Sequence, residues 1–223
     1  GLSVGVALMA GGIVTLTSHW TTQEHNNNNN KASTIMSMTS EQREITNPRN
    51  DQLVDHLIEE RLVKTQVVER AMRATDRGKY TQGFDAYEDH PTSIGSGQTI
   101  SAPHMHAICA ELAVPVLVDR PDAAGQQQEK WALDVGCGSG YFTTILALLN
   151  PHVKVIGLEI LPELARRAEE NIMRDRPDLI RSGRVKIVVG DGWKGYTGAG
   201  PYDFIHVGAA ASRLPPKLVE QLN

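Results

Sequence analysis

The sequence predicts an α/β fold, a mainly parallel, doubly wound sheet with helices on both faces. Three observations point there. An apolar strand-like run from Trp131 ends in Asp134, and glycines follow at alternate positions, Gly136, Gly138 and Gly140. A segment of helical period comes next, with Phe142, Ile145, Leu146 and Leu149 on one face. Beyond it, strand-like runs alternate with helical ones, which implies parallel strands joined by right-handed crossovers.

Residues 1–47 read as a tail outside the fold. Residues 2–16 are nearly uncharged and largely apolar, and the chain opens on Gly1 rather than Met. That stretch suits the end of a signal peptide or membrane anchor whose start is missing, or a disordered leader. It is shorter than the ~20 residues of a spanning helix. Residues 26–30 are an asparagine run with no means of building a core.

The domain is expected over residues 48–223 and begins with helices. Leu53, Leu57 and Ile58 line one face of the first, with Val54 beside them. Thr65 caps a second, which runs through Val67, Val68 and Met72 to about Thr75. Residues 85–97 carry turn residues and little periodicity, as a surface segment would. Ser101 occupies an N-cap position, with Pro103 in the first turn of a helix reaching about Leu117. A polar loop, residues 125–128, precedes the first strand. After the glycine turn and its helix, a strand over residues 153–158 ends in Glu159, and a helix from Pro162 to about Arg174 turns Leu164, Ala165 and Ala168 inward. A strand over residues 185–189 precedes Gly190-Asp191-Gly192, and one over residues 204–207 precedes Gly208-Ala209-Ala210. A further helix is expected over residues 214–222.

Ligands on such sheets bind at the carboxyl ends of the strands, near the point where strand order reverses. The glycine-rich turn leaves bare backbone for a nucleotide, because a Cβ there would meet the ligand or demand a costly positive φ. The dinucleotide fingerprint requires a glycine at the sixth loop position, which here is Tyr141, and no Lys-Ser or Lys-Thr pair follows to make a Walker loop. An acidic residue, Asp134, just before Gly-x-Gly-x-Gly resembles instead the first motif of the Rossmann-like S-adenosylmethionine (AdoMet) methyltransferases. AdoMet carries an ammonium and a sulfonium, so its loop suits a nearby carboxylate better than a phosphate cradle. On this reading Asp134 and the loop from Gly136 to Gly140 lie along the methionine moiety. Glu159, 19 positions after Gly140, accepts from the ribose hydroxyls. Asp191 accepts from the adenine amino group and Gly192 leaves room for the ring. A solvated loop acid at Glu159 and a turn-forming Asp191 are the plainer alternatives.

The stretch 93–106, Ser-Ile-Gly-Ser-Gly-Gln-Thr-Ile-Ser-Ala-Pro-His-Met-His, is more particular. Together with Leu-Asp-Val-Gly-Cys-Gly-Ser-Gly at 133–140, Val-Val-Gly-Asp-Gly at 188–192 and Tyr-Asp-Phe-Ile-His-Val-Gly-Ala-Ala at 202–210, it resembles the protein-L-isoaspartate (D-aspartate) O-methyltransferases. Ala74-Thr-Asp-Arg77 and Ser182-Gly-Arg-Val185 are similar to that family's eukaryotic members. The resemblance covers about residues 50–222. It implies transfer of the AdoMet methyl group to the free carboxylate of L-isoaspartyl or D-aspartyl residues in damaged proteins and peptides, leaving S-adenosyl-L-homocysteine. Carried over by position, Ser101 is the active residue and, with Thr99, contacts substrate. Gln98, Thr99, Ile100, Ser101 and His106 surround the cofactor. Val135, Gly136, Cys137, Gly138, Ser139, Glu159, Ile160, Asp191 and Gly192 match cofactor-binding positions. The family continues past the point corresponding to Asn223 with about three more strands, so the C-terminal strands are missing and the chain is read as a fragment. Gly97 and Gln98, and Glu159 where Asp is commoner, are milder departures.

The chemistry agrees with a site poor in strong bases, since a carboxylate of pKa about 4 is already ionised at neutral pH. Ser101 would hydrogen-bond the substrate carboxylate, and the amides at its helix start would favour an anion. His104 and His106 lie two apart and point in different directions, so no metal is expected. Cys137 reads as a small loop filler rather than a nucleophile. A net charge of -4 argues against nucleic acid as a partner, and no Asn/Asp-Pro-Pro-aromatic run follows the fourth strand as in base methyltransferases. A binding protein that holds AdoMet without turnover is the alternative from another class. Two cysteines, Cys109 and Cys137, without metal or redox spacing suit a reducing compartment. A cytoplasmic monomer is expected, the alternative being a secreted or tethered protein should residues 2–16 direct it.

Overall fold

A computed structural model describes residues 5–8, 47–118, 128–209 and 213–223. Most of the 1–47 tail, residues 125–127 of the polar loop and Ala210 lie outside the described residues. Gly5–Leu8 forms strand β1. Helices α1 (Pro48–Glu59) and α2 (Gln66–Arg73) follow, and then a hairpin of β2 (Thr92–Gly95) and β3 (Gln98–Ile100). Next come α3 (Pro103–Leu117), β4 (Lys130–Val135), α4 (Tyr141–Leu148) and β5 (Val153–Glu159). The chain continues through α5 (Pro162–Asp175), α6 (Pro177–Arg181), β6 (Val185–Val189), β7 (Phe204–Val207) and α7 (Pro216–Val219).

The main sheet has the order β1-β7-β4-β5-β6, and every pair in it is parallel. From β4 the chain steps outward through β5 to β6, then returns to lay β7 on the other side of β4. The strand order therefore reverses at β4, whose carboxyl end is the glycine loop. The backbone of β1 pairs with β7, so four residues of the segment read as lying outside the fold join the sheet edge.

Side chains alternate across the sheet with period two. Ala132, Val155 and Phe204 face a core built with α1 to α5. Leu133, Val135, Ile156, Leu158, Ile205 and Val207 face the other way, where Tyr202, Tyr196 and Leu218 of α7 cover them. Both faces are thus buried, as near-continuous apolar strands require. Asp203 secures the register at the amino end of β4, accepting from Trp131 N at 2.8 Å and Lys130 Nζ at 3.3 Å.

The helix starts show both success and failure of local reading. Thr65 Oγ1 accepts from Val68 N, the expected cap of α2. Ser101 caps nothing. Ala102 holds the N-cap position of α3 without a side-chain bond, and Asp89 does the capping from a distance, accepting from both His104 N and His104 Nδ1 at 2.9 Å. Residues 85–97 are not wholly irregular, because Thr92–Gly95 pairs antiparallel with Gln98–Ile100. Ser96 and Gly97 between them both have positive φ, as a tight two-residue hairpin loop demands. Strands of four and three residues are too short for alternation to register. The last helix is also shorter than expected, a single turn after which Leu222 bridges to Tyr202.

Candidate active site

The ends of four strands, β4, β5, β6 and β7, and the hairpin converge on the carboxyl edge of the sheet. Gly136, Gly138 and Gly140 all have positive φ, so the alternate glycines answer a backbone need. Gly140 is the most constrained, since a Cβ there would lie 3.2 Å from Ala168 O and 3.0 Å from Ile172 Cδ1. The loop is held from below. Glu159 is buried at the end of β5, and its Oε2 accepts from Gly138 N at 3.0 Å while Oε1 accepts from Leu161 N at 3.1 Å. Glu159 is therefore no solvated loop acid, and its first duty is to the loop rather than to a ribose.

Asp134 differs from expectation in the same way. Its carboxylate is 1% exposed, accepts from Thr143 Oγ1 at 2.6 Å, and meets His206 Nδ1 at 2.7 Å. Both carboxylate oxygens are engaged within the protein, so Asp134 ties β4 to α4 and β7 while also lining the chamber described below. His206 is paired with it across the β4–β7 register. Burial alone disfavours the imidazolium, but hydrogen bonds with Asp134 and Cys109 and the Asp134 charge prevail, and its pKa is raised to about 9. His106, also buried, is pushed the other way, well below the ordinary value, by burial and by the charges of Arg77 and His206.

These opposite shifts fix a stability profile. A histidine whose folded pKa exceeds its unfolded value contributes fully below pH about 6.5, and that contribution is lost as pH rises through about 9. His106, depressed on folding, contributes above about 6.5 and loses that contribution as pH falls. Urea melts are expected to show maximal stability near pH 6–7 and a decline of up to ~3 kcal/mol towards pH 9. A His206→Gln variant that keeps the same alkaline decline would refute the assignment to this pair.

Two adjoining spaces lie above. A small chamber of about 40 Å³ is walled by Ile94, Thr99, Ile100, Ser101, His106, Asp134, Gly136, Cys137, Gly138, Ser139, Tyr141, Phe142, His206 and Gly208. A more open cleft of about 170 Å³ is lined by Val135, Gly136, Leu158, Ile160, Gly190, Asp191, Gly192, Trp193, Val207, Ala209, Pro215 and Leu218. The two share Gly136. The chamber is polar and incompletely satisfied. His106 Nδ1 and Ser139 Oγ are buried without partners among the described residues, while the buried Tyr141 OH lies against the Arg77 guanidinium, whose Nη2 donates to Ser101 O at 2.8 Å. Such orphaned groups are costly unless a ligand meets them. The cleft is mostly apolar, with the exposed Trp193 and Ile160 as its outer walls. A polar chamber and an apolar slot thus lie side by side over the glycine loop, meeting at Gly136.

Most expected residues are brought together here. Thr99, Ile100, Ser101 and His106 face the loop residues Gly136 to Ser139 across the chamber, while Val135, Ile160, Asp191 and Gly192 line the cleft. Asp191 Oδ1 accepts from Trp193 N at 3.0 Å, so it does form a turn, and its Oδ2 makes no bond among the described residues. Gly192 is needed for space, as a Cβ would sit 2.5 Å from Val135 Cγ1. Gln98 is exposed and lines neither space, and Gly140 lies behind the loop at the start of α4. The Ser101 hydroxyl has no partner among the described residues. The amides at the start of α3 are not open to an anion, because Pro103 has none and His104 N is held by Asp89. Burial and the nearby Asp134 and Glu159 charges push the Cys137 thiol well up, which suits a filler and not a nucleophile. His104 and His106 do point apart, one to Asp89 and the other stacked on Phe142 with ring centroids 5.3 Å apart.

Arg77, Tyr141, Trp193 and His206 also border the site, and no motif in the sequence assigns them to it. His206 carried a signal, an ionisable residue within an apolar strand buried on both faces. Tyr141 stood out only for spoiling a dinucleotide fingerprint.

The model of the protein-L-isoaspartate(D-aspartate) O-methyltransferase family matches residues 48–223. A protein-L-isoaspartate O-methyltransferase of Triticum aestivum is 41% identical over 177 residues, covering 78% of this chain and 73% of that protein. One of Caenorhabditis elegans is 38% identical over 174 residues, with 78% and 73% covered. Among solved structures, a putative protein-L-isoaspartate O-methyltransferase from Plasmodium falciparum, in complex with S-adenosyl-L-homocysteine, aligns with a TM-score of 0.68 and 36% identity, covering 78% of this chain and 79% of that one.

Proposed function

The chain belongs to the protein-L-isoaspartate(D-aspartate) O-methyltransferase family, and from that premise we propose that it repairs damaged proteins by methylating the free carboxylate of L-isoaspartyl and D-aspartyl residues. The observation that carries the reading is the chamber itself, in which buried polar atoms and the Ser101 hydroxyl, without partners among the described residues, lie beside a glycine loop. Residues 48–223 are taken as the catalytic domain, working as a cytoplasmic monomer. The support for the compartment is two buried, unbridged cysteines.

AdoMet, when bound, supplies a methyl group on a sulfonium. The glycine loop with Thr99, Ser101 and His106 would hold its amino-acid end, and Ile160, Asp191, Gly192 and Trp193 its base. Support comes from which residues line each space. Glu159 would serve the ribose only through lone pairs left over from Gly138 N and Leu161 N.

The acceptor carboxylate is already an anion, so the chamber needs no general base. None of its ionisable groups is free to act as one. Asp134 is tied to Thr143 and His206, His206 is kept protonated, and neutral His106 is a very weak base. What the residues can do is orient. Ser101 Oγ–H would donate to the carboxylate and set its angle of attack, with Arg77 fixing the Ser101 backbone. Charge partly cancels as the carboxylate meets the sulfonium, so alignment and exclusion of water supply most of the acceleration.

The direct test uses methyl-labelled AdoMet and two peptides differing only in L-isoaspartate against L-aspartate. Base-labile label is expected on the isoaspartyl peptide alone. No label on either, with S-adenosyl-L-homocysteine binding intact, would overturn the enzyme reading in favour of a non-catalytic binding protein.

A further inference from the structure

Beside the chamber lies a cavity of about 150 Å³ that the reaction leaves unused, between residues 79–82 on one side and α5 on the other. It borders the chamber directly, since Ile94 and Ser139 line both. Its charges are unbalanced. Of the acids near it, Glu170 is paired with Arg166, and Asp175 is engaged by Lys79 at 2.7 Å and by Tyr80 OH at 3.0 Å. Those pairings also account for Lys79. Two guanidinium groups remain. Arg174 Nη1 donates only to neutral oxygens, Lys79 O and Asn171 Oδ1. Arg167 has no hydrogen bond and no carboxylate partner among the described residues, and it sits over Gly95, where a Cβ would come within 2.6 Å of its Nη1.

A second observation points to a ligand. Ser139 is 4% exposed and belongs to the lining of both cavity and chamber, and its buried Oγ has no partner among the described residues; Thr81, which also lines the cavity, has a buried Oγ1 with none among them either. Donors without acceptors, beside cations without anions, describe an empty place for a carboxylate.

We propose that this cavity is a flanking subsite, which takes an Asp or Glu side chain of the substrate polypeptide close in sequence to the isoaspartyl residue. The inference rests on the methyltransferase reading. An extended peptide advances about 3.3 Å per residue, so a side chain one to three positions from the reacting carboxylate reaches a cavity that shares a wall with the chamber. Arg167 rests on the hairpin that carries Thr99, so a carboxylate held there is registered against the residues that hold the reacting group.

The test compares isoaspartyl peptides with Glu, Ala or Lys placed in turn one to three positions either side. KM for turnover and Kd with S-adenosyl-L-homocysteine present are measured for each. At one position Glu is expected to lower KM and Kd about three- to tenfold relative to Ala, with kcat unchanged and the advantage eroding as salt rises. Arg167→Glu is expected to reverse the order in favour of Lys, and Arg167→Gln to abolish it, while Ala-flanked peptide is turned over as before. Glu, Ala and Lys peptides agreeing within twofold at every position would overturn the subsite, as would an order unchanged in Arg167→Glu. Failure of the methyltransferase reading looks different, because then no peptide is methylated, while the Kd series still decides the subsite.

Discussion

Asp134→Asn is expected to lower the unfolding free energy by about 3–5 kcal/mol, the range for breaking a buried ion pair by removing one partner. Asp134 accepts from the Thr143 hydroxyl and holds protonated His206, with both side chains almost wholly buried. Asparagine leaves one acceptor for two donors and presents its own amide hydrogens to the other. His206 then loses the charge that offsets its desolvation and must give up its proton. Urea denaturation at pH 7 measures the loss. The pH profile supplies a sharper sign, since the decline between pH about 6.5 and 9 should vanish along with the raised pKa. The double variant with His206→Gln should be less damaged than the two losses added together, because one change removes the group that the other stranded. A loss below about 1 kcal/mol would mean that the pair does not brace the site.

Ser101→Ala is expected to reduce kcat about 100-fold, the scale of a misaligned reacting group. Its stability should stay within about 0.5 kcal/mol of wild type. The contrast matters because Ser101 stands where a helix cap is expected, and loss of a cap costs about 1 kcal/mol. Asp89 holds that duty, bonded to both His104 N and His104 Nδ1. Asp89→Ala should therefore show the stability loss that Ser101→Ala does not. Binding of S-adenosyl-L-homocysteine by titration calorimetry separates the remaining possibility. Were Ser101 mainly a cofactor ligand, affinity would fall with kcat; were it mainly an orienting donor to the carboxylate, affinity would hold.

What the sequence made legible was whatever depends on neighbours along the chain. The alternate glycines announced a loop that needs positive φ, and Thr65 announced a cap three residues ahead. Strand ends at Glu159 and Asp191 fell where period and turn residues placed them. What it concealed was pairing at a distance. Asp134 looked open to a ligand because its partner, His206, is 72 residues away and becomes adjacent only when β7 lies down beside β4. Ser101 looked like a cap because Asp89, which does the capping, sits in a stretch without periodicity. The β2–β3 hairpin escaped because its strands are shorter than any reliable alternation.

Glu159 has a kinetic consequence. A run of alternating glycines would ordinarily sample many shapes, and a ligand settling on it would have to wait for the right one. With one carboxylate oxygen on Gly138 N and the other on Leu161 N, the loop is tethered to the exit of β5 before any ligand arrives. Association of the cofactor's amino-acid end then resembles a rigid encounter, quick and little dependent on rearrangement.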